Sequence, residues 1–371
     1  MSPYAHITGW GMSVPERVLT NHELAKMVDT SDEWIVSHTG IRERHIAAEG
    51  QTTASLATEA ALRALEVANL NPADLDLIIV STSSPEHLFP ATACLVQDRL
   101  GASKAGAFDL LAACSGFIFA LSTATQAIRT GAAKNVLVIG AETLSRLVDW
   151  KDRNTCILFG DGAGAFVVQA SLEPGGVLSS VIRSDGSGGD LLSVPAGGSL
   201  LPTSVDTLQN GQHYIHMDGR EVFRFATRVI GQATQEAVAG ASFKMDDIDL
   251  IIPHQANLRI IESALRRMRV PIDRCFINLE KYGNTSTASI PIAACEAVQA
   301  GRLRPGNKVV FVGFGAGLTW GSAVVEWSAP FPVRRMIYPP RYRAYARLRS
   351  VLLRWLRRID GWIWQRQNPN L

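Results

Sequence analysis

The chain alternates short apolar runs with longer stretches of helical period. Asp74-Leu-Asp-Leu-Ile-Ile-Val and Val136-Leu-Val-Ile-Gly are rich in Val, Ile and Leu and read as buried strands. Leu56 to Val67, Ile118 to Arg129 and Val222 to Val238 instead read as helices. Such alternation predicts α/β layers, with helices covering the sheets. Both strand patterns recur 173 residues later, as Asp247-Ile-Asp-Leu-Ile-Ile-Pro and Val309-Val-Phe-Val-Gly. One offset shared by two separate elements predicts an internal duplication. Chemistry is then expected at the seam between the halves.

The first half runs over residues 1–172, from a first strand at Ala5 to Thr8 up to the turn signal Glu173-Pro-Gly-Gly. The second runs over 173–327, and Pro330, Pro332, Pro339 and Pro340 set off residues 328–371 as an appended segment. Ser184 to Ser204, dense in Gly, Ser and Pro, reads as a loop, and Met217-Asp-Gly-Arg-Glu-Val-Phe as the start of a long helix. At 371 residues, 47% hydrophobic and 19% charged, the chain can bury a large core, which excludes global disorder. No apolar run reaches membrane-spanning length, and Met1 to Gly11 lacks the basic patch and apolar block of a secretory signal. A cytoplasmic protein is expected. Five cysteines without C-x-x-C spacing point to free thiols, not to zinc or disulfides.

Cys114 stands in Leu111-Ala-Ala-Cys-Ser-Gly-Phe, after an apolar run and before a helix that Gly131 would stop. Unpaired N–H groups and the positive end of the dipole would lower the pKa of a cysteine placed there. Taken alone, an inert buried cysteine fits equally well. His254, in Ile251-Ile-Pro-His-Gln-Ala-Asn, follows a second-half strand at its carboxyl end, where α/β proteins hold ligands. Asn284 lies in Tyr282-Gly-Asn-Thr-Ser-Thr-Ala-Ser, close to residue 287, the duplicate counterpart of Cys114. The duplication predicts that the two turns face each other. A Cys-His-Asn set admits a papain-like thioester hydrolase. It also admits two neutral donors aimed at a developing enolate oxygen, and a strand duplication suits this second reading better. The run Gly313-Phe-Gly-Ala-Gly-Leu-Thr-Trp-Gly offers backbone donors for an oxyanion hole and lacks the Lys-Ser/Thr of a phosphate loop.

Several long motifs occur together and in order: Thr30-Ser-Asp-Glu-Trp-Ile-Val, Thr39-Gly-Ile-Arg-Glu-Arg-His, Ala113-Cys-Ser-Gly-Phe, Phe159-Gly-Asp-Gly-Ala-Gly, Pro253-His-Gln-Ala-Asn-Leu-Arg, Gly283-Asn-Thr-Ser and Thr319-Trp-Gly. Over about residues 3 to 327 the chain resembles the thiolase-fold condensing enzymes, and among them the β-ketoacyl-acyl-carrier-protein synthase III family. The resemblance implies a thiolase-like, five-layered αβαβα fold in a homodimer. It also implies a ping-pong Claisen condensation that starts fatty acid synthesis, with no cofactor because the CoA thioester is itself a substrate. Cys114 would take the acyl group from acyl-CoA, acetyl-CoA being the expected primer, and His254 and Asn284 would bind the thioester carbonyl of malonyl-acyl-carrier protein. Phe117 would position the malonyl group, and Ala316 stands where a glycine of the oxyanion turn is usual. Trp34, Thr39, Arg153 and Asn257 would contact CoA, with His38 in place of a usual Arg. Leu144, Phe159 and Leu191 would line the primer pocket, and Phe89 would reach in from the partner subunit.

The carrier protein is acidic, so its docking face should be basic. Arg259, Arg266 and Arg267 share one side of a helix, and with Arg224 they match the family's docking positions. Residues 328–371 hold ten Arg against one acidic residue, which leaves about −7 on the rest of the chain. Within that tail, Tyr345, Leu348, Leu352, Trp355, Ile359 and Trp362 recur at spacings of three and four, an amphipathic helical stripe. Two readings stay open for residues 341–366: an element lying on an anionic membrane surface, or a helix docked on the acidic body or pairing in the dimer. Nucleic acid is not expected as a partner, since basic and aromatic content alone is unspecific.

Overall fold

The computed structural model describes residues 2–331 and 340–367. One sheet joins Tyr4–Ser13, Asp161–Ser171, Asn135–Thr143, Leu77–Ser81 and Gly106–Leu110 in that spatial order. The other joins Gly176–Ser184, Thr319–Glu326, Lys308–Gly315 and Leu250–Pro253 in the corresponding order. Leu77 pairs with Val136 and Leu250 with Val309, both in parallel, so the duplication holds at the level of register. The fifth strand position is reduced in the second half to one bridge between Ile251 and Cys275. The repeated Asp-x-Asp has a structural cause: the carboxylate of Asp76 accepts from the backbone N–H groups of Lys134 and Asn135, and that of Asp249 from Lys308. Each aspartate ties the start of its strand to the neighbouring one.

Two helices that begin 173 residues apart, Gly116–Arg129 and Ser289–Gln299, lie between the sheets. Their apolar residues meet both inner faces, and Phe166 of the first sheet touches Phe117 (centroids 5.1 Å) and Phe311 of the second (5.9 Å). Each such ring contributes roughly 1.5–3 kcal/mol by burial. Thr53–Ala68 and Thr92–Leu100 cover the outside of the first sheet, and Gly219–Gly240 and Leu258–Met268 the outside of the second. The result is five layers, α/β/α/β/α.

The first strand is longer than its apolar alternation suggests, because Gly9 and Gly11 carry no side chain to read. A Cβ on Gly9 would lie 2.1 Å from the carbonyl oxygen of Ala64, so the alanine-rich outer helix can ride directly on the strand. Residues 184–204 are not all loop: Leu192–Ser193 pairs with His216–Met217. The long helix begins at Gly219, where the Asp218 side chain accepts from the N–H groups of Arg220 and Glu221. In the tail, Pro340–Gln367 forms one helix. Pro332, Pro339 and the Trp362 side chain lie outside the described residues.

Candidate active site

Cys114 sits in a single tight turn, Ala113–Ser115, that runs into the central helix at Gly116. Ala113 adopts φ 45°, and its duplicate Ser286 adopts φ 47° in the matching turn Ser286–Ala288. The two turns meet across the seam. Thr287, the counterpart of Cys114, donates from its hydroxyl to the carbonyl of Ser81 and to Glu142, both in the first half. Asn284 is tied over as well: its N–H donates to Leu158 O (2.8 Å) and its carbonyl accepts from Gly160 (3.0 Å). The Gly313–Gly315 strand end presses on the nucleophile, since a Cβ on Gly315 would stand 2.5 Å from the Cys114 nitrogen.

Cys114, His254 and Asn284 line one cavity of about 770 Å³. His254 is buried, with Nδ1 2.7 Å from Ser289 Oγ. The N–H of Gln255 also points at that oxygen (3.4 Å), leaving the hydroxyl proton for Nδ1 and a hydrogen on Nε2. Among the described residues Nε2 has no partner. Burial pushes the imidazole down to about 3, so it is neutral at ordinary pH. Asn284 Oδ1 accepts from the Ser286 N–H (2.8 Å), which leaves the NH2 end for a ligand. Two neutral N–H donors therefore border the same space as the thiol.

The thiol departs from its expected chemistry. Burial pushes Cys114 up to about 12; a hydrogen bond from Ser286 lowers it and the Glu142 carboxyl raises it. Desolvation by five layers outweighs the pull of a helix that starts two residues further on. Glu142, which sequence reasoning passed over, is fully buried and accepts from Thr82, Ser83, Ser84 and Thr287. Burial raises its pKa, while those donors oppose the rise.

Other expected residues divide. Trp34, Thr39 and Asn257 line the main cavity, and the Arg153 guanidinium lies 5.2 Å over the Trp34 ring. The His38 ring stacks on Trp34, centroid to centroid at 4.3 Å. The Thr39 hydroxyl is engaged within its own turn, and Asn257 caps Leu258–Met268 while donating to His38 O. Leu144, Phe159 and Ala316 line a second, mainly apolar cavity of about 520 Å³ that also reaches Cys114. Ala316 is not among the left-handed residues, so its methyl group adds no backbone strain. Phe89 is 85% exposed and projects away from its own chain.

Two expectations are corrected. Phe117 is 0% exposed, packed on Phe166 between the sheets and absent from the cavity wall; among the aromatic residues that do line the cavity, Phe314 packs against the His254 ring at 5.3 Å. The helix turns Phe117 inward to the core, whereas Phe314 alternates with Gly313 and Gly315 on a strand end. Its signal lay inside the glycine-rich run, which was read only for its backbone. Leu191, which ends the turn Gly186–Leu191, faces a different groove, and Leu192, which opens the short strand Leu192–Ser193, takes the wall of the apolar cavity. Arg224 and Arg267 line that groove together with Arg228, one turn beyond Arg224, while Arg266 pairs with Glu262 and Arg259 is exposed at its helix start.

A duplicated five-layered fold with a cysteine turn from one half and a histidine and an asparagine from the other at a common cavity defines a thiolase-like condensing enzyme. Models of 3-oxoacyl-(acyl-carrier-protein) synthase III match residues 108–186 and, for its C-terminal part, 238–327. The chain is 52% identical over 329 residues to beta-ketoacyl-(acyl-carrier-protein) synthase III of Roseiflexus sp. strain RS-1, covering 89% of this chain and 100% of that protein. It is 54% identical to the enzyme of the same name from Caldanaerobacter subterraneus, covering 87% and 98%. The crystal structure of 3-oxoacyl-(acyl-carrier-protein) synthase III from Aquifex aeolicus VF5 superposes with a TM-score of 0.81 at 47% identity, covering 87% of this chain and 100% of that one. The chain belongs to the beta-ketoacyl-acyl-carrier-protein synthase III family, the condensing acyltransferases of fatty acid biosynthesis.

Proposed function

We propose that the protein carries out the initiating condensation by a ping-pong route, with Cys114, His254 and Asn284 as its catalytic residues. The Cys114 thiol adds to the carbonyl of an acyl-CoA, the C–S bond to CoA breaks, the thiol proton passes to the departing CoA sulfur, and the acyl group stays as a thioester. The carboxylate of malonyl-acyl-carrier protein then departs as carbon dioxide, and the enolate carbon attacks that thioester, giving β-ketoacyl-carrier protein and the Cys114 thiolate, which takes up a proton from water. Nε2–H of His254 and the NH2 of Asn284 donate to the enolate oxygen, where charge develops. The observation that carries this reading is the common cavity of the three side chains, with both donor atoms left for a ligand.

Acetyl-CoA is the proposed primer. The apolar cavity beside Cys114 supports an acyl site, with Leu144, Phe159 and Leu192 in its wall. Trp34 with Arg153 supports a place for the CoA base, and the groove of Arg224, Arg228 and Arg267 a place for the acidic carrier. A homodimer is supported by the edge strand Gly106–Leu110 beside the exposed Leu88, Phe89 and Leu111, and Phe89 of the partner subunit would close the primer cavity. The chemistry needs no cofactor. The reading includes a cytoplasmic enzyme that meets an anionic membrane surface through residues 341–366. Labelled acetyl-CoA and malonyl-carrier protein should yield acetoacetyl-carrier protein and carbon dioxide. Free acetate as the sole product would replace this reading with a hydrolase.

A further inference from the structure

The helix Pro340–Gln367 takes no part in the proposed condensation, and it lies beyond residue 327, where the family match ends. It is fastened to the body by its polar side. Ser350 is buried and donates from Oγ to Asp98 on Thr92–Leu100 (2.6 Å), with Arg349 and Leu353 half-buried beside it. The apolar stripe faces elsewhere: Leu348 is 73% exposed, Leu352 53% and Trp355 58%. At 100° per residue these three fall within about 60° of one another, and Ser350 lies roughly 170° from their centre. Leu353 beside Ser350 and Ile359 on the stripe are half-buried, whereas Leu348, Leu352 and Trp355 stay open to solvent, where packing on the body would have covered them.

Charge decides what covers that face. Arg358 is exposed on one flank of the stripe, about 90° from its centre, and among the described residues it forms no ion pair. With ten Arg and one acidic residue in 328–371, a second copy of the tail would set like charges side by side. An anionic phospholipid surface supplies counter-charge and an apolar interior together, and tryptophan suits the headgroup level between them. Among the described residues no helix is long and apolar enough to cross a membrane, so any contact of this helix with a membrane would be at the surface.

We propose that the helix 340–367 docks the enzyme on anionic phospholipid, with Leu348, Leu352 and Trp355 inserted among the headgroups and Arg358 on lipid phosphate. This specifies the membrane contact included in the reading above and depends on none of its chemistry. The test spins the full-length enzyme with phosphatidylcholine vesicles, with and without phosphatidylglycerol, at low and high salt. Binding to the anionic vesicles should be at least about tenfold tighter than to neutral ones and should weaken as salt rises. A Leu352→Glu/Trp355→Glu variant should stop pelleting while acetoacetyl-carrier formation in solution continues unchanged, and Arg358→Ser should weaken pelleting several-fold. No pelleting, equal pelleting with neutral lipid, or pelleting that survives the double glutamate change overturns the proposal. So does a lower sedimenting mass of that variant without lipid, which would make the stripe an interface between copies. Vesicle binding with no condensation product would count against the catalytic reading alone.

Discussion

Nδ1 of His254 lies 2.7 Å from Oγ of Ser289, the first residue of the central helix of the second half. The imidazole proposed to be catalytic is thus aimed from the element that also forms the core between the sheets. Ser289→Ala should leave acylation of Cys114 unchanged and slow carbon dioxide release roughly five- to tenfold, the effect of one hydrogen bond of about 1 kcal/mol. Ser289→Thr should restore the rate. Single-turnover labelling of the thiol, set beside carbon dioxide release, reads the two steps separately.

His254→Ala and Asn284→Ala should each reduce the decarboxylation step by about 10²–10³, as expected for one donor lost from an anion site. Acyl transfer to Cys114 should persist in both. Equal loss of the two half-reactions would defeat the assignment.

The buried imidazole also links stability to acid. Its pKa is near 3 in the folded protein and 6.5 when exposed, so between these values only the unfolded chain takes up the proton. Stability from this group is present above pH 6.5 and falls as pH drops through the window. Between pH 7 and 5 the native protein should lose about 2 kcal/mol more than His254→Gln does. Urea unfolding of both proteins at the two pH values checks this, and parallel losses would contradict it.

Phe117 and Phe314 should separate cleanly. Phe117→Leu removes part of a ring packed on Phe166 and should cost about 1–3 kcal/mol in thermal unfolding without altering KM for either substrate. Phe314→Leu loosens the wall against His254 and should slow carbon dioxide release while thiol labelling proceeds. The reverse pattern would return the positioning role to Phe117.

Arg224, Arg228 and Arg267 line one groove. Charge reversal of Arg228 or Arg267 to Glu should raise KM for malonyl-carrier protein several-fold, more at low salt, and leave KM for acyl-CoA in place. Steady-state kinetics with each substrate varied in turn measures it.

The duplication, the strand pairs and the three central residues were legible along the chain because each rests on local features. A buried strand needs a short apolar run, and the Asp-x-Asp before it is there to bind the next strand's backbone. Cys114 and His254 lie in turns directly after such strands, and Asn284 lies close to the position that the 173-residue offset assigns as the counterpart of Cys114, so finding the strands found the turns. Other properties depend on which way a side chain leaves the backbone once the layers have closed. Phe117 and Phe314, or Leu191 and Leu192, differ by a helix rotation or one step of the chain, and no apolar pattern separates them. The rise of the Cys114 pKa and the fall of that of His254 come from five layers excluding water, which neighbours in sequence do not report. The tail shows both sides of this division. Its stripe and its arginines were plain from spacing, but whether the stripe faced the body or the solvent was decided by Ser350 meeting Asp98, 252 positions away in the chain.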